Sequence, residues 1–120
     1  MKIHKSAEDY LEMILMLQEQ KGYVRSIDIA AGLSVSKPSV SVAMKHLRED
    51  GYIFMDKDNF ITLSESGMEI AQRIYERHKV LTRFLMQLGV NESDAREDAC
   101  KIEHDISTAT FDAIRKNTRD

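Results

Sequence analysis

One cysteine and one proline in 120 residues already exclude much. A single thiol, Cys100, leaves no intramolecular disulfide to hold a core and fits a reducing compartment. With Pro38 alone there is no proline-rich linker, and the chain shows neither an internal repeat nor a low-complexity tract. No long hydrophobic run is present at the start: MKIHKSAEDYLEMILMLQEQ is interrupted by Glu8, Asp9, Glu12 and Gln18. It reads as neither signal peptide nor membrane span, so a cytoplasmic protein with no membrane partner is expected. An excess of positive charge is also missing. Seventeen basic residues face 20 acidic ones for a net charge of -3, which excludes adhesion to polyanions by bulk electrostatics. Any nucleic-acid contact must come from a local surface.

What is present is helical periodicity. Ser6 followed by acids predicts a capped helix start, with Tyr10, Leu11, Ile14, Leu15 and Leu17 recurring on one face until Lys21 and Gly22. Asp9 and Glu12, three apart, share another face. A short helix is expected from about Ser26, with Ile29, Ala30 and Leu33 inward. Ser34–Ser36 makes a break, and Pro38 falls in the first turn of a third helix, where its missing N–H costs least. Val40, Ala43, Met44 and Leu47 line that helix until Asp50 and Gly51. Tyr52–Met55 and Phe60–Leu63 are β-prone runs around a polar connection, a small hairpin. Ser64 opens a long amphipathic helix through about Leu88; Asn91 caps another through about Ile106, and Ser107 caps a last one carrying Phe111 and Ile114.

Two short helices joined by a tight turn and followed by a two-stranded wing make a winged helix-turn-helix. The expected architecture is therefore mainly α with a small β wing: a DNA-binding unit over residues 1–63 and an α-helical dimerisation region over 64–120. In such a motif the second helix enters the major groove N-terminus first, which nominates Ser36, Lys37, Pro38, Ser39, Ser41 and Val42. Small hydroxyls allow close approach, Lys37 can meet a phosphate or a base, and Val42 can touch a thymine methyl. Lys45, His46 and Arg48 lie further along, toward phosphates; Arg25 and the wing's Lys57 complete the candidate set. The alternative for the serines is that they merely cap and solvate a surface helix. Residues 1–63 hold eight basic against nine acidic residues, so specific binding should need a dimer and a matched site.

A second constellation lies in DACKIEHDIS. Cys100, Glu103 and His104 fall at i, i+3 and i+4, one helix face, and all three are competent metal ligands. Three on one turn rarely complete a coordination sphere; Asp9, Glu12 and His78 are the candidates for the rest. Each also has a plain structural reading, as capping acid, solvated face, surface histidine or small core residue. Thiol catalysis by Cys100 with His104 is a further alternative, although no nucleophile-turn motif surrounds the cysteine.

Taken together, AEDYLEMI, EQKGYVRSIDIAAGLSVSKPSVSVAMKHLREDGYI, ITLSESG, RHKVLTRFL and DACKIEHDIS resemble the metal-dependent repressors typified by the diphtheria toxin repressor and the manganese transport regulator. The resemblance covers nearly the whole chain. It implies a homodimer that binds a pseudo-palindromic operator in double-stranded DNA when divalent metal is present, repressing metal-uptake genes. Asp9 stands where manganese-type members have aspartate, Glu12 matches a manganese-type glutamate, His78 matches a ligand of both types, and Glu103 and His104 match the Glu-His of the motif. Cys100 departs from the manganese-type glutamate and agrees with the iron type, making the set a hybrid. Thr82 and Arg96 replace anionic ligands of the iron-type second site, which is expected to be absent. The expected arrangement is one site from Asp9, Cys100, Glu103 and His104, with His78 and Glu12 forming a second or weaker one. Mn(2+) is favoured as the metal, Fe(2+) being the alternative. The chain length leaves no room for the SH3-like domain of longer members, and Ser26–Ile27 suggests a one-residue shift of the second helix cap. Outside that resemblance, a winged-helix regulator not gated by metal and a Cys/His-dependent enzyme remain the competing readings.

Overall fold

The computed structural model describes residues 5–119. Its elements are α1 (Lys5–Lys21), α2 (Ser26–Leu33), α3 (Lys37–Glu49), β1 (Ile53–Met55), β2 (Ile61–Leu63), α4 (Glu65–Gln87), α5 (Glu92–Ile102) and α6 (Thr108–Lys116). Lys2, counted among the basic residues above, lies outside the described residues. The chain forms two compact units, Met1–Gln72 and Arg73–Asp120, and passes from one to the other within α4.

In the first unit the apolar stripe of α1 is the floor. Leu11, Ile14, Leu15 and Leu17 are buried, and α1 meets α2, α3 and β2. Each such side chain withdrawn from water contributes about 1.5–3 kcal/mol. Gly22 ends the helix with φ +82, a left-handed position that costs glycine little, and its N–H reaches Gln18 O at 2.9 Å. Arg25, not a serine, is the N-cap residue of α2; the Asp28 carboxylate accepts its backbone N–H at 2.9 Å. Ser36 caps α3, accepting the Ser39 N–H at 3.3 Å, and Pro38 sits in the first turn. Val40, Met44 and Leu47 bury one face of α3, and the opposite face is left open.

The wing is antiparallel, pairing Ile53 with Leu63, Phe54 with Thr62 and Met55 with Ile61. Ile53 and Ile61 point inward while Phe54 is exposed, the period-2 alternation of a half-buried strand. The Ile61 N–H also bonds Val24 O at 2.8 Å, tying the wing to the α1–α2 connection.

Ser64 caps α4 by accepting the Gly67 N–H at 3.1 Å and donates its own hydroxyl to Gly51 O at 2.6 Å. Gly67 is there because nothing larger fits: a Cβ would lie 2.0 Å from the Tyr52 carbonyl oxygen.

In the second unit, Asn91 caps α5 by accepting from Asp94 N at 2.9 Å, and Ser107 caps α6 by accepting from Thr110 N at 3.1 Å. Its buried positions include Ile74, Val80, Leu81, Ala95, Ala99 and Phe111. Three expectations are corrected. Lys5 is already helical, so Ser6 lies inside the first turn of α1 and lacks the extended backbone a cap requires. Leu88 falls beyond α4 and is 66% exposed, since the Leu88–Gly89 turn follows Gln87. And α5 stops at Ile102 instead of Ile106, its last carbonyls turning toward a side chain of α4 described below. Among the described residues no helix is long and apolar enough to cross a membrane.

Gly67→Ala is expected to destabilise the winged unit by about 2 kcal/mol, because backbone must yield to admit the methyl. Chemical denaturation with unchanged helical content at the start point measures it.

Candidate metal centre and nucleic-acid interface

The second unit assembles one cluster around the end of α5. Cys100 sits on the last turn of α5, Glu103 is its C-cap residue, and His78 comes from α4. Glu103 is fully buried, His78 retains 16% of its side-chain exposure and Cys100 is exposed. His78 Nδ1 lies 3.1 Å from Glu103 Oε2 and 3.6 Å from Cys100 Sγ. One ligand atom from each of the three residues falls within 4.8 Å of the others.

Nitrogen, sulfur and oxygen donors bound at about 2.0–2.3 Å in tetrahedral or octahedral arrangements stand about 3.0–3.7 Å apart. The two separations to His78 fall in that range and the third pair lies within 4.8 Å, so these three residues could hold a divalent cation. The second oxygen, Glu103 Oε1, faces the next residue, with His104 Nε2 3.4 Å away. Glu103 therefore addresses a different imidazole with each oxygen. α5 ends at Ile102, so His104 lies in the turn that follows it, and the imidazole beside Cys100 is that of His78.

Charge explains the metal-free arrangement. A carboxylate without solvent is costly unless countered, and His78 is the counter-charge. The Cys100 sulfur and then the Glu103 carboxylate beside it push the imidazole pKa up to about 10. Asp9 and Glu12 lie on α1 in the first unit, Asp9 partly buried and Glu12 buried. Thr82 is partly buried, and Arg96 is turned to Glu92 at 2.7 Å, an exposed helical pair.

The first unit carries a different surface. Ser36, Lys37, Pro38, Ser39, Ser41, Val42 and Lys45 are all exposed along α3, with Val42 at 57%. Beside it, a cleft of about 450 Å³ opens between α2, α3 and the wing, lined by Arg25, Ser41, Lys45 and Arg48 among others. Arg25 stacks on Phe60 at 4.3 Å, and Arg48 Nη1 lies 4.0 Å from Met55 Sδ. Lys57 is exposed at the wing tip, in a turn shaped by Asp56 Oδ1, which accepts the N–H groups of Asp58 and Phe60. Arg48, expected with Lys45 and His46 to face phosphates, shares the cleft with Arg25 and Lys45. Its i+3 spacing from Lys45 was the available signal.

Family models match both halves of the chain. Residues 2–59 match the N-terminal DNA-binding domain of iron-dependent repressors, and residues 64–119 match their metal-binding and dimerisation domain. The chain is 41% identical over 109 residues to the HTH-type transcriptional regulator MntR of Geobacillus thermodenitrificans, covering 91% of this chain and 77% of that one. It superposes on the manganese regulator SloR with a TM-score of 0.81 at 30% identity, over 98% of this chain and 54% of that one. A manganese-dependent transcriptional repressor in complex with manganese gives 0.83 at 29% identity, over 92% and 51%. The chain thus spans about half the length of these solved structures.

The raised imidazole pKa gives a signed pH dependence. With its folded pKa above the unfolded value of about 6.5, His78 contributes stability that is complete below that value and lost as pH rises through about 10. Metal-free His78→Gln is expected to unfold at lower denaturant than wild type near neutral pH, the gap closing as pH approaches 10. Urea titrations of both proteins across that window read it out.

Proposed function

The chain belongs to the iron-dependent repressor family, and from that premise we propose that it is a manganese-activated repressor of metal-uptake genes that binds a pseudo-palindromic operator as a homodimer in the cytoplasm. Family membership makes it a metal-dependent transcriptional repressor whose partners are DNA and a second copy of itself, and not an enzyme. The contact between Cys100 and His78 is accordingly not a catalytic dyad.

The observation that carries the metal reading is the spacing of His78, Cys100 and Glu103, three different donor atoms arranged around a fully buried carboxylate. Asp9, Glu12 and His104 are proposed as further ligands on the family resemblance. Manganese and ferrous iron stand at the weak end of the divalent series, so choice between them rests on geometry and availability. The oxygen donors Asp9, Glu12 and Glu103 favour Mn(2+), as do relatives described as manganese regulators; Cys100 keeps Fe(2+) as the alternative. A bound divalent cation supplies the positive charge that lets clustered carboxylates coexist.

The protein residues do the rest. His78, once deprotonated, and the Glu103 carboxylate would hold the cation, and Asp9 and Glu12, the ligands taken from the family resemblance, stand on α1, the helix against which α2, α3 and β2 rest. Ser36, Lys37, Pro38, Ser39, Ser41 and Val42 read the major groove, while Arg25, Lys45 and the wing's Lys57 hold phosphates. Few positive charges make each half-site contact weak, so dimer geometry and metal decide whether the operator is held. Linkage requires operator binding to raise metal affinity by the factor that metal raises operator affinity.

Duplexes selected from a random library with Mn(II) are expected to bind about 5–150-fold tighter with Mn(II) than in excess chelator, and Glu103→Gln is expected to abolish that gain. Equal binding with and without Mn(II) in a mobility-shift titration would sink metal activation.

A further inference from the structure

We propose that Arg77 is a positioning residue of the metal centre, fixing the backbone of Glu103 so that its carboxylate is set for the cation; the proposal rests on the metal reading above. A helix leaves its last carbonyls unsatisfied, and a cation at that end both accepts the geometry and complements the dipole. At the end of α5 the guanidinium of Arg77 takes this role from a neighbouring helix. Its Nη1 donates to Glu103 O at 3.1 Å and to Ile106 O at 3.0 Å, while Nη2 lies 3.5 Å from Thr108 Oγ1. The guanidinium also stacks over Phe111 at 5.2 Å, which anchors it to α6.

Consecutive residues of α4 thus grip Glu103 at its two ends, Arg77 by the backbone carbonyl and His78 by the carboxylate. The same donor nitrogen spans residues 103–106, closing the turn that carries His104 off the helix. Were this turn loose, the carboxylate would have to be ordered at the moment of binding, and affinity would carry that entropy. Partners behind metal ligands commonly change affinity about 10–100-fold when removed.

The alternative is that Arg77 only pins α4, α5 and α6 together. A structural pin lowers thermal stability and leaves the affinity and the ligand field of the folded protein unchanged. The test compares wild type, Arg77→Met, Arg115→Ala and Glu103→Gln by Mn(II) titration and by the visible spectrum of the Co(II) forms, with melting followed separately. Arg115 stacks on the same Phe111 ring at 4.8 Å and controls for that contact. Arg77→Met is expected to weaken Mn(II) about 10–100-fold and to alter the Co(II) bands, whereas Arg115→Ala keeps wild-type values. If Arg77→Met does not fold, Arg77→Lys, which keeps a cation without the planar fork, is expected to show the same weakening in the folded state. A folded Arg77 variant with wild-type affinity and spectrum overturns the proposal, and if Glu103→Gln loses binding in the same series the metal reading survives that failure. Unchanged Mn(II) binding by Glu103→Gln overturns both together.

Discussion

A carboxylate with no solvent exposure governs the second half of this chain. Glu103 is fully buried, and an ionised group so placed is tolerated only beside a compensating charge. His78, its Nδ1 3.1 Å from the carboxylate, provides that charge when protonated. The surrounding features follow: α5 breaks off at Ile102, the turn after it is fastened by Arg77, and Cys100 is left beside the same imidazole. The cluster is held in shape by the ion pair of His78 with Glu103.

The two units divide the work by chemistry. The winged unit, with Met44 and Leu47 buried and Val42, Lys37 and Lys45 in solvent, is a platform that offers one helix face to a partner. Its eight basic residues face eleven acidic ones over residues 1–72, so bulk charge does not draw it to DNA.

Much of this was legible in the sequence, and the exceptions have causes. Period-3.6 and period-2 patterns located every helix and both strands, since each element buries one face. Pro38 after Ser36, and Ser64 before Gly67, marked helix starts because capping chemistry is local. The end of α5 was not legible: residues 103–106 look helical by composition, and the carbonyl acceptor that stops them finds its donor on α4, 26 residues away in sequence. The nearness of His78 to Cys100 was not legible either, because His78 is a tertiary neighbour on α4 that spacing along one helix does not place. Arg77 escaped notice because an arginine's role depends on what lies opposite it.

The central claim is that metal replaces a proton on His78 beside a buried Glu103. Calorimetric titration with Mn(II) near neutral pH, repeated in buffers of different ionisation enthalpy, counts the protons released on binding. At least one proton per bound metal is expected from the wild-type protein, with one fewer from His78→Gln. A heat of binding that is independent of buffer, with no proton released, would contradict the account.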